Sequence, residues 1–480
     1  MGDNLIQILP GAPSSPGVVP VNASAESPVS AFEAIRNAPD VAASPLGRSF
    51  YIETFGCQMN VHDSEKVAGV LMGRGFEPVD DAERADIILY NTCSIREKAA
   101  QKVFSRLGAI KKKHGDKVIG VLGCVAQQEG EKFFERVPHV SLVCGSASYS
   151  RLPELLDQLG AGNRRVTGLS LDTDDCFETE LTRRDNPFRA YLTIIEGCDK
   201  ACSYCVVPMT RGPERSRPGD RILEEVRRLV DEGYSEIQLL GQTVNSWRDA
   251  SRLRLSFAAL LARVAETPGV RRVRFTTSHP RDFTPDIVQA IDEHPALCDQ
   301  IHLPVQCGSN AVLRRMLRTY TREEYLEKID CIRRARRDIS ISTDMIVGFC
   351  GETEKDFGET VSLLDAVEYD QVFSFKYSVR PKTPAGAWPD DVPEEEKGRR
   401  LSELQERQRQ IQMRRNQALI GREFEVLVEG YHSKLGQAVG RTTSNRVINF
   451  GGSAADVGSY LTARVTAAGP NSLVGERVAG

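Results

Sequence analysis

No run of about 18 consecutive apolar residues occurs in the 480-residue chain, so nothing in it reads as a membrane-spanning helix. The first residues lack a basic start followed by an apolar core, so no secretory signal is expected. Excess positive charge is also missing: 62 Lys and Arg stand against 66 Asp and Glu, a formal net charge of -4. A nucleic-acid partner would have to be met by local basic patches, because no global field attracts it. Cysteine, by contrast, is plentiful, at twelve residues. Without an export signal these point to a reducing cytoplasm, where thiols serve metals more often than disulfides. With 40% hydrophobic and 27% charged residues the composition is ordinary for a soluble globular protein. The length suggests about three domains of ~150 residues each.

The densest cysteine group is Cys198-Asp199-Lys200-Ala201-Cys202-Ser203-Tyr204-Cys205, three thiols at spacings of four and three. It follows the apolar run Ala190 to Ile195, which reads as a strand interrupted by Thr193. Thiolates so close along the chain can wrap one iron–sulfur cluster. Three ligands on a four-iron cluster leave one iron without protein, and an open metal position can hold a small molecule. Structural zinc is the alternative, but it needs four closed ligands and no fourth lies nearby.

Residues 1–47, rich in Pro, Ala, Ser and Gly, cannot offset their ordering entropy by burial and read as a disordered tail. From Phe50 strand-like runs (Phe50–Phe55, Ala85–Tyr90, Val118–Leu122, Val140–Val143) alternate with helical segments such as Arg96–Lys113 and Gln127–Arg136. That alternation predicts a parallel α/β sandwich over 48–163. Cys57, Cys93 and Cys124 each come after a strand run with one or two residues between. Ligands of open α/β sheets sit outside the strand carboxyl ends, so the three thiols could converge there; equally, small cysteines suit tight strand-to-helix turns. Cys144 reads as such a turn filler, and Cys176 as a free thiol in an exposed polar linker, 164–187.

Over 188–415 six strand candidates follow, Arg189–Ile195, Glu236–Leu240, Arg272–Thr276, Gln300–Val305, Ile339–Val347 and Gln371–Phe375. Helical patterning separates them, as in Ile222, Leu223, Val226, Leu229 and Val230. Repeated β–α units favour a partial (β/α)6 barrel with its site at the strand carboxyl ends. His279, lone and before a proline, reads as structural, and Cys298 and Cys331 as core. The arginines Arg211, Arg215 and Arg217, and Arg333 to Arg337, read as solvated faces or candidate RNA contacts. Over 416–480 short strands separated by Gly, Asn and Ser predict a small antiparallel β-barrel.

The string from Glu196-Gly197-Cys198 through Tyr204-Cys205-Val206-Val207-Pro208 to Thr210-Arg211-Gly212 resembles the methylthiotransferase branch of the radical S-adenosylmethionine (SAM) enzymes. Gly56-Cys57-Gln58-Met59-Asn60, Asn91-Thr92-Cys93-Ser94-Ile95-Arg96-Glu97 and Gly123-Cys124 resemble that family's amino-terminal domain. Gly440-Arg441-Thr442, Asn445 and Val447 to Gly451 resemble the TRAM module, an OB-like RNA-binding barrel. The resemblance implies two 4Fe-4S clusters, one on Cys198, Cys202 and Cys205 that binds SAM, and one on Cys57, Cys93 and Cys124 that handles sulfur. It implies SAM contacts at Gly241, Gln242, Ile346 and Gly348, and it places Cys307 and Cys350 near the site without iron. Gln58-Met59-Asn60 and Ser94 to Glu97 are similar to the MiaB-type enzymes, which methylthiolate C2 of isopentenyladenosine beside the anticodon of tRNA. An electron donor such as a flavodoxin or ferredoxin, the tRNA anticodon stem-loop as partner, and a cytoplasmic monomer follow as expectations. Sister activities on a ribosomal-protein aspartate or on threonylcarbamoyladenosine, and a non-catalytic iron–sulfur RNA-binding protein, are the alternatives.

Overall fold

The computed structural model describes residues 46–94, 97–110, 117–172 and 181–478. Almost all of the expected tail, and Ile95, Arg96 and Cys176, lie outside the described residues. The amino-terminal unit is a parallel sheet of β1 (Ser49–Phe55), β2 (Glu77–Pro78), β3 (Ile87–Thr92), β4 (Val118–Gly123), β5 (Leu142–Cys144) and β6 (Val166–Gly168). Its order is β2-β1-β3-β4-β5-β6. Ile87, Ile88 and Leu89 are fully buried, as a strand covered on both faces requires of an unbroken apolar run. β6 falls within the span expected as an exposed linker. The helix expected over 127–136 is two short helices, Cys124–Glu129 and Lys132–Arg136, separated at Gly130, whose φ of +57° stops the first.

The central unit is the expected six-strand partial barrel. β7 (Arg189–Thr193), β10 (Glu236–Leu240) and β11 (Arg272–Phe275) form one parallel set, and β12 (Gln300–His302), β13 (Ser340–Val347) and β14 (Gln371–Lys376) the other. A parallel bridge, Val273 to Leu297, joins the sets, so β7 and β14 are the open edges. A small antiparallel pair, β8 (Ile195–Glu196) and β9 (Arg215–Ser216), closes the base of the cysteine loop. Helices such as Gly219–Asp231 pack outside, burying Ile222, Leu223, Val226 and Leu229 as their spacing predicts.

The carboxy-terminal unit is a closed barrel of β15 (Glu423–His432), β16 (Gln437–Thr442), β17 (Val447–Gly451), β18 (Tyr460–Ala468) and β19 (Leu473–Arg477). It is not wholly antiparallel: β19, a strand absent from the sequence reading, pairs parallel with β17 through Ile448 and Leu473. Among the described residues no helix is long and apolar enough to cross a membrane.

This small barrel docks on the amino-terminal ends of the central strands. Arg272 donates to the carbonyls of Arg441 (2.7 Å) and Glu425 (2.9 Å), and Arg274 to those of Thr442 (2.7 Å) and Thr443 (3.0 Å). Arg189 bridges Glu236 and Glu429. Arg441, read in sequence as part of an RNA-binding signature, is half-buried against Glu429 in this network. The carboxyl ends of the central strands are thereby left for the site. Burial opposes ionisation of Glu236, but Arg274 and Arg189 outweigh it and hold the carboxyl down at about 2. Glu236→Gln would leave Arg274 without a carboxylate partner, while Arg189 keeps Glu429 and Arg272 keeps Glu425. Uncompensated buried charges of this kind cost about 3 kcal/mol. We expect a lowered thermal midpoint and faster proteolytic release of the 416–480 barrel, with iron content unchanged.

Candidate functional site

Strand register brings the three early cysteines to one edge. Phe55 of β1 pairs with Thr92 of β3, and Thr92 with Gly123 of β4. Cys57 lies two residues beyond its strand, and Cys93 and Cys124 one beyond theirs. Adjacent strands run about 4.8 Å apart, so the three thiols leave neighbouring strands at one level. Two glycines permit this closeness. A Cβ at Gly56 would stand 2.5 Å from Cβ of Cys93 and 2.9 Å from Oδ1 of Asn60. Gly123 takes φ +89°, and a Cβ there would stand 2.5 Å from Oδ1 of Asn91. Gly56→Ala therefore has to displace Cys93. One four-iron cluster on each trio would make reconstituted Gly56→Ala protein bind about half the iron of the wild type, read by iron analysis, with the later cysteines still loaded.

Cys57 also caps the helix Gln58–Gly73. A hydrogen bond from Cys93, the Arg211 guanidinium, and the backbone N–H groups of Asn60 and Met59 together outweigh burial and pull its thiol down to about 5. A thiol so placed is readily available as the thiolate a metal needs. Arg211 is buried and bonded to Asp63 at 2.5 Å, and Cys124 and Cys57 are among the groups that most favour its charge. Burial pushes the Asp63 carboxyl up to about 6, with Arg211 working against that.

The later trio lies on the loop between β8 and the short helix Val207–Arg211. Each sulfur there meets one donor: a backbone N–H at Lys200 for Cys198, the Arg318 guanidinium for Cys202 (3.3 Å), and the Val207 N–H for Cys205 (3.4 Å). Burial pushes the thiols of Cys198 and Cys205 up to about 11 and about 12, with the other cysteines of the trio adding to it. Iron would deprotonate them outright, so loading releases protons. Among the described residues no three His, Cys, Asp or Glu side chains converge on the spacing of a single ion. Donor set and N–H···S contacts fit an iron–sulfur cluster.

Two consecutive residues touch both trios. Arg211 faces Cys57 and Cys124, and the carbonyl of Gly212 accepts from the N–H of Cys198 at 3.1 Å. The helix Gln58–Gly73 also enters the mouth of the central barrel. Oε1 of Gln58 accepts from Gln238 of β10 at 3.1 Å, and Sδ of Met59 from Thr193 of β7 at 4.0 Å.

Gly241, Gln242, Ile346 and Gly348 stand at the carboxyl ends of β10 and β13. A Cβ at Gly241 would meet Ile195 Cγ2 at 2.3 Å, so only glycine fits against the strand that leads into the cysteine loop. Oε1 of Gln242 and Oγ of Ser278 are buried with no hydrogen-bond partner among the described residues, as atoms awaiting a polar ligand would be. Gly348, at φ +69°, donates its N–H to Glu352. Thr277 (φ +66°) and Gln306 (φ +76°), two residues beyond β11 and four beyond β12, adopt backbone that non-glycine residues avoid; such strain collects at ligand sites. His279 is buried, caps the turn Pro280–Asp282 and is held neutral by burial and Arg318. Cys307 and Cys350 are buried beside Thr360 and Ala385, and Ala385 in turn donates its N–H to the Ser203 carbonyl of the cysteine loop at 2.8 Å. Cys298 and Cys144 are fully buried and Cys331 packs on the core. Arg215 and Arg217 are buried and bonded to Glu196 and Glu225, so they offer RNA no open face. Arg318 was not singled out in the sequence: nothing in its spacing marks it, and only the fold carries it to Cys202.

Family models match in the same three parts: Uncharacterized protein family UPF0004 over 49–145, the Radical SAM superfamily over 192–364 and the TRAM domain over 417–478. A tRNA-2-methylthio-N(6)-dimethylallyladenosine synthase from Solibacter usitatus is 63% identical over 90% of this chain and 98% of its own. The chain belongs to the tRNA-2-methylthio-N(6)-dimethylallyladenosine synthase family. Members from Koribacter versatilis and Aquifex aeolicus are 57% and 45% identical over 90% of this chain and 98% and 99% of theirs. Among solved structures, the radical S-adenosylmethionine methyltransferase TsrM from Kitasatospora setae superposes with a TM-score of 0.53 at 14% identity, covering 71% of this chain and 77% of that one. That likeness concerns the fold.

Proposed function

We propose that the chain is a tRNA methylthiotransferase that adds a methylthio group to C2 of N(6)-dimethylallyladenosine beside the anticodon. Near-full-length identity to synthases of that name carries the reading. SAM and an iron–sulfur cluster are its cofactors, as membership of the Radical SAM superfamily entails. We assign that cluster to Cys198, Cys202 and Cys205, and a second, sulfur-handling cluster to Cys57, Cys93 and Cys124. Gly241, Gln242, Ile346 and Gly348 are assigned to SAM. Bound there, these groups would supply radical chemistry, able to remove a hydrogen that no general base can reach.

The chain's own residues position and shield. The N–H donors around the later trio hold its thiolates. The unpaired Gln242 Oε1 offers an acceptor for an ammonium group. The Arg211–Asp63 pair fixes the early trio against the cysteine loop. The three-part division (48–163, 188–415, 416–480), a monomer, a cytoplasmic setting, and a flavodoxin or ferredoxin as electron donor belong to the same proposal. Because an anticodon loop is single-stranded, its target base can be presented at little cost. The test is anaerobic reconstitution with SAM, reductant and a prenylated anticodon stem-loop RNA. Mass spectrometry should find the methylthiolated nucleoside together with deoxyadenosine. Deoxyadenosine without that nucleoside would overturn the substrate, and no SAM cleavage would overturn the enzyme.

A further inference from the structure

The interior of the central barrel is unevenly filled. The β7–β10 half is covered by the helix Gln58–Gly73, through Met59, Gln58 and the His62 ring against Tyr191. Across from it, β14 pairs among the described residues only with β13 and forms the open edge. Alternation sorts the side chains of β14. Val372 packs on the outer core and Ser374 bonds Gln405 of the helix Glu394–Gln417, so both face outward. Phe373 and Phe375 consequently face inward, yet they remain 39% and 37% exposed.

Two phenylalanines two residues apart on one strand, both half-open, form an apolar wall whose only ring partner in the described residues is His302, edge-on to Phe373 at 5.8 Å. Register sets Phe373 beside Asp344 and Phe375 beside Ile346. His302 bonds Ser342 at 3.0 Å through Nδ1 and faces Asp344 at 3.5 Å through Nε2. Asp344 remains 29% exposed, so a carboxylate acceptor borders the wall.

We propose that Phe373 and Phe375 receive the dimethylallyl chain of the target nucleoside, with Asp344 accepting from its N6–H, so that this wall selects prenylated over unmodified adenosine. The inference rests on the function proposed above and names the residues that choose its substrate. A branched five-carbon chain on an exocyclic nitrogen is apolar surface next to a single donor, which matches an aromatic wall with one acceptor at its rim. Phosphate and ribose offer no such surface. The adenine of SAM carries no hydrocarbon substituent and is an outcome that the test separates.

The experiment uses the full-length protein, reconstituted with iron and sulfide, and two anticodon stem-loop RNAs that differ only in the prenyl group. One methylene in an apolar pocket is worth roughly 10–200-fold in discrimination. Phe373→Ala and Phe375→Ala should each weaken binding of the prenylated RNA at least about tenfold and leave the unmodified RNA within about twofold. The corresponding leucine variants should keep most of the preference. Equal losses on both RNAs, or none, would overturn the wall. Should the alanine variants fold poorly, a diazirine analogue of the prenyl chain on the wild-type protein should label peptide 371–376; labelling confined to other segments rejects the assignment. If the wild-type enzyme does not methylthiolate the prenylated RNA, the proposed function fails. Unaltered discrimination in both alanine variants would remove the wall alone.

Discussion

Simultaneous replacement of Cys57, Cys93 and Cys124 by alanine is expected to abolish methylthiolation while SAM cleavage to deoxyadenosine continues. The two trios are held by different parts of the fold. The early one depends on the register of β1, β3 and β4, and the later one on the loop between β8 and the helix Val207–Arg211. Loss of the early thiols leaves the later donors intact, since the N–H of Val207 and the guanidinium of Arg318 both come from the central unit. Arg211 loses the two thiols that favour its charge, and Asp63 still pairs with it. The variant should hold about half the wild-type iron. Replacing Cys198, Cys202 and Cys205 instead should end both reactions, because the open iron position is lost with them. Product analysis by mass spectrometry, with iron assay on the same samples, reads every arm. Methylthiolation surviving loss of the early trio would deny it any part in sulfur handling.

The sequence made these two trios legible in unequal ways. Cys198, Cys202 and Cys205 are close along the chain, so their convergence needs only a loop. Cys57, Cys93 and Cys124 are dozens of residues apart and meet only because three parallel strands stop in register, which alternation suggests but does not fix. The six central strands were readable because each is a short apolar run between helices of clear period. β19 was not: Leu473–Arg477 holds only two apolar residues and earns its place through pairing with β17 and β18. Val166–Gly168 was read as linker for the same reason, three residues being too few to show a period. The arginines misled most. Arg211, Arg215, Arg217, Arg272 and Arg274 look like solvated charge in a one-dimensional reading, yet all are buried and bonded to carboxylates or carbonyls, Arg211, Arg272 and Arg274 across unit boundaries and Arg215 and Arg217 within the central unit. Charge says nothing about burial until its partner is known, and for Arg211, Arg272 and Arg274 the partner lies more than a hundred residues away.

With the SAM-binding cluster proposed on Cys198, Cys202 and Cys205, Arg318→Leu is expected to make that cluster harder to reduce. Arg318 is buried between Leu317 and Thr319, both at positive φ, in a turn that aims its guanidinium inward. It donates to Sγ of Cys202 at 3.3 Å, to the Pro304 carbonyl at 2.9 Å and to the hydroxyl of Tyr320 at 2.9 Å. Tyr320 in turn donates to the Val305 carbonyl at 2.8 Å, so the guanidinium is held in place from two sides. Reduction adds negative charge to a cluster, and a buried cation bonded to one of its sulfurs favours that charge. A hydrogen bond to a charged group is worth about 1.5–3 kcal/mol, which for one electron corresponds to at most about 60–130 mV. Loss of it should shift the midpoint potential to more negative values by up to that amount. At a fixed reductant the reduced fraction, and with it SAM cleavage, should fall about ten- to a hundredfold. Iron content should hold, because all three thiols remain. Arg318→Lys keeps the charge without the fork and should recover part of the potential but not the Pro304 and Tyr320 contacts. Potentiometric titration followed by electron paramagnetic resonance separates this from a packing defect, which would lower iron content or the thermal midpoint without moving the potential.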